Sequence, residues 1–196
     1  AKGVLTFPAQ FILACAMNPC PCGYFNDRHR QCHCSTTRIH RYVGKISGPL
    51  LDRIDIHLEV PRPRLKELKD TAVRETSAKI RSRVNAVRLL QRKRCCDNEH
   101  TRLLDFRTNA RLHDADIKKF CTVTPEGQQL LDSAIEELSF SARAYHKILK
   151  IARTIRDMKT VTRAPGAEDT WSTEEPIEAD DIAEAIQYRI LDRNWM

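Results

Sequence analysis

Several things are missing from this sequence, and each absence removes a class of protein. No apolar run approaches the roughly 18 residues that a membrane-crossing helix needs. The longest, FILACAM from Phe11 to Met17, is of a length that suits a buried strand. Glycine is scarce, 6 in 196 residues, and no internal repeat is present, which leaves the composition of an ordinary globular protein, 41% hydrophobic and 30% charged. No secretory signal is present, and the chain does not start with Met. Acidic residues are absent between Thr76 and Cys96, a stretch that holds seven basic ones (Lys79, Arg81, Arg83, Arg88, Arg92, Lys93, Arg94) in a chain of net charge +7. After Pro63 no segment reads as a strand.

What is present begins with eight cysteines. Without a secretory signal they point to a reducing, cytoplasmic setting, where clustered thiols serve as metal ligands or apolar residues rather than disulfides. Four of them form two Cys-x-Cys pairs, Cys20/Cys22 and Cys32/Cys34, nine residues apart. In an extended chain residues i and i+2 point the same way, so a one-residue spacer can bring both sulfurs to one ion. Four thiolates satisfy a tetrahedral Zn²⁺ and leave no open position, which makes a structural site. Pro21 stiffens the first pair and Gly23 permits the turn after it. His29 and His33 are spare ligands. Reduced structural thiols and a labile disulfide are the competing readings. Cys15 and Cys121 read as structural, and Cys95-Cys96 carries no assigned role.

The order of segments predicts a small α/β piece followed by a helical unit. FILACA, residues 11–16, has the pattern of a central, doubly covered strand. TTRIHRYVGKI reads as a helix stopped at Ser47-Gly48-Pro49. Ile54 to Val60 alternates apolar and polar like a half-buried strand ended by Pro61 and Pro63. Beyond it the apolar spacing of Ile80, Val84, Val87 and Leu90 predicts an amphipathic helix with a basic outer face, one that could follow a phosphate backbone or be simply solvated. Thr124-Pro125 and Ser141 have helix-start chemistry. Lys159 to Glu178 reads as a polar stretch, a surface loop or a disordered insert, and a last helix begins near Asp181 with Ile182, Ala185, Ile186 and Ile190 inward. Two strands do not make a stable sheet, so the sequence reads as a piece of something longer.

Two polar residues stand at element edges. Asn18 lies just past the first predicted strand, where α/β nucleotide-binding sheets place ligands, and an amide there can orient a water. A local turn before Pro19 is the alternative. Arg53, between Asp52 and Asp55, offers a planar, permanent cation suited to phosphate recognition across a subunit boundary, or an ion pair with either aspartate.

NPCPCGY, the Cys32-x-Cys34 pair, RYVGKISGPLLDRIDIHLEVP, SARAYHKILKIARTIRDM and AEAIQYRILDR, in that order, resemble the ComM-type, magnesium-chelatase-like AAA+ ATPases over nearly the whole chain. The resemblance is to the C-terminal portion: the GxxxxGK[ST] phosphate loop is absent from these residues. It implies a mixed fold, the C-terminal part of an AAA+ α/β core over residues 1–63 with a Cys-rich insert at 20–34, then a helical lid over 64–196 with a loop insert about 159–178. It places Asn18 at the sensor-1 position, Arg53 at the arginine finger, and Arg143 at the sensor-2 arginine, which would also contact nucleotide. It implies ATP with Mg held mainly by an upstream part, a hexameric assembly, and DNA as partner of a branch-migration helicase used in natural transformation. Two other functions fit some of the residues: a true magnesium-chelatase ATPase subunit, and a zinc-stabilised basic nucleic-acid-binding module.

Overall fold

The structure is a computed structural model that describes residues 5, 11–27, 29–61, 63, 75–95 and 108–189. The chain divides into two compact units, Ala1–Ile46 and Ser47–Met196. Among the described residues it is mostly helical, with no strand, and no helix is long and apolar enough to cross a membrane.

The first unit contains an extended run, a cysteine-bearing loop and helix α1 (Thr36–Val43). Ser35 caps α1, its Oγ accepting from Arg38 N at 3.3 Å, and His40 and Arg41 lie in the last turn, where cations suit the helix dipole. Helix α1 buries no residue. The strand expected at residues 11–16 does not form. Phe11, Ile12 and Leu13 are extended but 76%, 91% and 61% exposed. The cause is the absence of a ladder partner, since an isolated strand leaves its N–H and C=O groups unpaired. The same holds for residues 54–60, where Ile56, Leu58 and Val60 stay exposed.

In the second unit α2 (Gly48–Leu51) opens at Ser47 with Pro49 in its first turn. The Ser-Gly-Pro stretch therefore starts a helix, whereas α1 has already ended at Gly44. Then come α3 (Ser77–Cys95), a 3₁₀ turn (Asn109–Arg111), α4 (Asp114–Phe120), α5 (Pro125–Glu137), α6 (Ala142–Arg163), a second 3₁₀ turn (Glu168–Thr170) and α7 (Ala179–Gln187). Thr124 and Ser141 cap α5 and α6 through their side-chain oxygens, as the sequence predicts. Helix α6 is the spine against which α3, α4 and α7 pack. Leu131, Ile148, Ile177 and Ile182 are fully buried at the centre of the main core, each contributing roughly 1.5–3 kcal/mol. Val123 and Ile177 form an isolated parallel bridge beside the start of α5. There Gly127 is needed, because a Cβ would lie 2.8 Å from Val123 Cγ1.

A smaller cluster joins Val87 and Leu90 of α3 to Val161 and Trp171. Ile80 and Val84, in the first half of α3, remain exposed instead of following them inward. The stretch read as a loop from Lys159 is helical to Arg163, and the segment beyond Arg163 is tied down. Trp171 is buried, with its Nε1 donating to Ala164 O at 2.8 Å. Arg94 Nε donates to Thr173 O at 2.9 Å and Arg153 Nη1 to Glu175 O at 2.5 Å. Beneath this segment Asp157 accepts from Arg94, from Arg153 Nε at 2.9 Å and from Asn109 Nδ2 at 2.8 Å, all four residues buried. A carboxylate so surrounded has its charge matched on every side, which is the condition for keeping it in a core.

Candidate functional site

The loop after Met17 turns on Pro19 to Gly23. Gly23 N donates to Cys20 O at 3.0 Å, and Gly23 holds φ = +81°, a region where a side chain would be strained. The turn brings Cys20 and Cys22 together, with Sγ atoms 3.3 Å apart, and Cys32 Sγ sits 3.7 Å and 3.5 Å from them. Cys34 completes the group, all four sulfurs lying within 4.8 Å of one another. Four thiolates around one ion at about 2.3 Å stand about 3.8 Å apart in a tetrahedron. The observed distances of 3.3 to 3.7 Å lie close to that spacing, so the four residues could hold a tetrahedral ion.

The protons are unevenly held. The Tyr24 backbone amide and the neighbouring Cys20 thiol draw the Cys22 pKa down to about 6. For Cys32 the Cys34 amide acts in the same direction, but burial and the Cys22 and Cys20 sulfurs outweigh it and push the pKa up to about 12. Burial, then Cys22, raises Cys34. Four sulfurs in contact without a cation cannot all ionise, so the first thiolate suppresses the others. A divalent cation reverses that logic. Of the spare ligands, His29 and His33 are exposed and lie outside the cluster.

Asn18 is exposed at the start of the same turn, its amide facing the Gly23 side of the loop, where an added Cβ would lie 3.9 Å from it. Arg53 is exposed in the second unit. Its Nη1 donates to Pro49 O at 2.8 Å, and among the described residues it pairs with neither aspartate beside it. Those aspartates have other partners. Asp52 Oδ2 accepts from Arg143 Nη1 at 2.9 Å and Oδ1 from Ser141 Oγ at 3.0 Å. Asp55 pairs with Lys147 Nζ at 2.9 Å. Burial alone would raise Asp52, but the hydrogen bonds from Arg143 and Ser141 hold it below the usual carboxylate range. Arg143, Arg53 and Asp52 thus share one surface of the second unit.

Sequence reasoning passed over Lys147 and Arg189. Lys147 Nζ also donates to Arg53 O, and Arg189 Nη1 donates to Ile54 O at 2.6 Å. For Lys147 a signal existed: it lies one turn from Arg143 on α6, opposite in charge to the two aspartates of LLDRID. The basic helix α3 divides by face. Arg94 is buried on Asp157, Arg83 pairs with Glu75 at 2.7 Å and Lys93 with Asp169 at 3.7 Å, while Lys79, Arg81 and Arg88 remain exposed. Cys15 is exposed and Cys121 buried, burial pushing the Cys121 thiol up to about 11.

Comparison with known proteins bears on both units. The family model described as magnesium chelatase, subunit ChlI, matches residues 1–68, and the one for its C-terminal part matches residues 74–189. The chain is 35% identical to the Competence protein ComM of Haemophilus influenzae over 98% of its length and 33% of that protein. It is 35% identical to an uncharacterized protein YifB of Escherichia coli, again over 98% of this chain and 33% of that one. An uncharacterized protein of Mycobacterium tuberculosis is 29% identical over 95% of this chain and 33% of its own length. The chain spans about a third of the length of these relatives.

Proposed function

The chain belongs to the ComM-type, magnesium-chelatase-like family, and from that membership we propose that it is the C-terminal part of an AAA+ ATPase that works as a DNA motor. In this reading residues 1–63 complete an α/β core and residues 64–196 form the lid, with 159–178 inserted before its last helix. The exposed apolar run at Phe11 to Leu13 supports a sheet completed by chain outside this sequence. ATP with Mg would be held mainly by that other part, and the assembly would be a ring, hexameric by family likeness, in the cytoplasm.

The observation that carries the reading is the surface shared by Arg53 and Arg143. Both residues are exposed, Arg143 on the first turn of α6 and Arg53 on a segment that Lys147 ties to α6, so both can meet an anion supplied from outside the unit. Arg53 would add positive charge to a phosphoryl group bound by a neighbouring subunit, and Arg143 would sense nucleotide in its own. Asn18, exposed at its turn, would orient the attacking water. The triphosphate supplies the leaving group; these side chains supply position and charge. Cys20, Cys22, Cys32 and Cys34 would hold a structural Zn²⁺ that fixes the loop behind Asn18.

The test is ATP hydrolysis by the longer protein. Arg53→Ala is expected to lower kcat by roughly 10³ to 10⁵, the range of arginine-finger losses, and the 196-residue chain alone is expected to turn over no ATP. Turnover by this chain alone, or full activity of the variant, sinks the reading. The name of one relative carries the word competence, which favours DNA processing in natural transformation. Stimulation by branched DNA but not by protoporphyrin separates that role from a true chelatase subunit. A second reading, a zinc-stabilised nucleic-acid module, rests on the exposed Arg81 and Arg88 of α3. It requires the isolated chain to bind DNA with a steep salt dependence.

A further inference from the structure

Residues 52–57, DRIDIH, form neither helix nor strand, so their backbone groups must find partners in side chains or loops. The amides of Asp52, Arg53 and Ile54 donate back to the carbonyls of Gly48, Leu50 and Leu51, and the remaining groups find partners on α6 and just past α7. Arg189, fully buried, donates to Ile54 O at 2.6 Å and Asp55 O at 3.4 Å. His57 N donates to Tyr188 O at 2.8 Å. Lys147 binds Arg53 O and the Asp55 carboxylate together. The chain on both sides of Arg53 is thus held by lid elements, while the Arg53 side chain is exposed with its Nη1 on Pro49 O.

Asp52 is the anchor that differs from the rest. Its partners at the start of α6 are Ser141 at 3.0 Å and Arg143 at 2.9 Å, and the Arg143 side chain is 54% exposed; buried Arg189 adds a longer contact, its Nη2 lying 3.7 Å from Asp52 Oδ1. An ion pair that open to water is weak. A phosphate offers the same guanidinium several anionic oxygens and a bidentate geometry. On Arg143 the carboxylate therefore occupies the place a phosphate would take, and that one contact is the weak one, the Arg189 side remaining buried.

We propose that Asp52 is the exchange partner of Arg143: nucleotide phosphate displaces the carboxylate, and the released aspartate loosens the segment that carries Arg53. The proposal rests on the roles given above to Arg53 and Arg143. Asp52 is then a positioning residue. Lys147 and Arg189 keep the segment attached to the lid during the exchange, so occupancy sensed by one arginine is felt at the other, one residue away from the displaced anchor.

Two measurements test this. In the 196-residue chain, amide hydrogen exchange over residues 50–58 is followed as inorganic tripolyphosphate is added at constant ionic strength. Exchange there is expected to rise with the wild type, and to start high and stay unchanged in both Asp52→Asn and Arg143→Met, each of which lacks the pair that phosphate would displace. No rise in the wild type overturns the proposal. In the longer ATPase, Asp52→Asn is expected to lower KM for ATP about three- to fivefold, the factor that an exposed pair of up to about 1 kcal/mol allows. It also lowers kcat, and Asp52→Glu restores both. An unchanged or raised KM overturns the proposal as well. If the longer protein has no ATPase activity while tripolyphosphate still drives the exchange, the motor reading falls and the Asp52 exchange stands.

Discussion

The two compact units are built on different physics. Among the described residues of Ala1–Ile46 the one buried hydrophobic residue is Cys20, and the one helix buries nothing. Ser47–Met196 has two apolar clusters and a set of buried charges. With no apolar core among its described residues, the first unit cannot offset their chain entropy by the hydrophobic effect. What it has instead is four sulfurs within 4.8 Å. The first unit is expected to owe its order to a ligand, the second to packing. That contrast sets out where each experiment should bite.

The largest effect is expected from removing metal. Structural zinc contributes about 10–16 kcal/mol in small zinc-dependent domains. The purified chain is expected to carry near one equivalent of zinc, and Cys20→Ser with Cys22→Ser to carry none. Chelation should open residues 20–34 to proteolysis while the thermal transition of the second unit stays in place. Protein prepared under reducing conditions without metal, and equally protease-resistant with chelator, would break the comparison from the first side. Next in size is Asp157→Ala, which strands Arg94 and Arg153 in the interior. Removing one partner of a buried charge set costs about 3–5 kcal/mol, so the urea midpoint of the second unit should fall steeply. A stability loss below about 1 kcal/mol, the worth of an exposed pair, would mean that water reaches Asp157 and that packing is not what holds this unit.

How much of this the sequence discloses divides along the same line. The helical second unit was legible because its helices announce themselves locally: Thr124 and Ser141 cap, and Leu131, Ile148 and Ile182 sit on helical faces that bury. The cysteine cluster was legible because ligand spacing is also local. What failed needed partners distant in sequence. Residues 11–16 and 54–60 have strand composition, but a strand exists only through its neighbours, and none is present among the described residues. The segment after Arg163 reads as polar and loose, yet Trp171 and the carbonyls of Thr173 and Glu175 dock onto α3 and α6, through residues up to 79 positions away. Arg94 looked like part of a phosphate-binding face for the same reason, its buried partner Asp157 being 63 residues on. Ile190, expected inward on the last helix, lies outside the described residues.

Acid sharpens the contrast. Burial would raise Asp181, but hydrogen bonds from Lys159, the Glu178 amide and Arg156 hold its pKa below the usual value. Arg156 lowers Glu178 in the same way. A carboxylate with a depressed folded-state pKa contributes stability that is fully present above its unfolded pKa, about 4, and is lost as pH falls toward the folded value. The second unit should therefore melt at a nearly constant temperature from about pH 7 to about 5 and lose stability below about 4. Asp181→Asn should flatten that acid limb. Metal thiolates compete with protons at higher pH than carboxylates do, so zinc release should precede the acid limb as pH is lowered. The reverse order would show that something other than thiolates orders the first unit.

The smallest effect compares one chemistry in both settings. Ser35 caps α1 and Thr124 caps α5, each accepting from the backbone amide three residues on, at 3.3 Å and 3.2 Å. Loss of either cap costs about 1 kcal/mol of helix stability. In α5 that loss is shared with Leu131 and Ala134, which are buried in the main core, so Thr124→Ala should shift the unfolding midpoint while every amide of the helix stays protected. Helix α1 has no buried residue to share it with, and an isolated helix of eight residues is marginal in water. Ser35→Ala should therefore leave the midpoint unmoved and instead speed hydrogen exchange along residues 36–43 about fivefold. Equal protection of the two helices after both substitutions would mean that α1 packs on something outside these residues, and the first unit would then owe its order to a surface as well as to its thiolates.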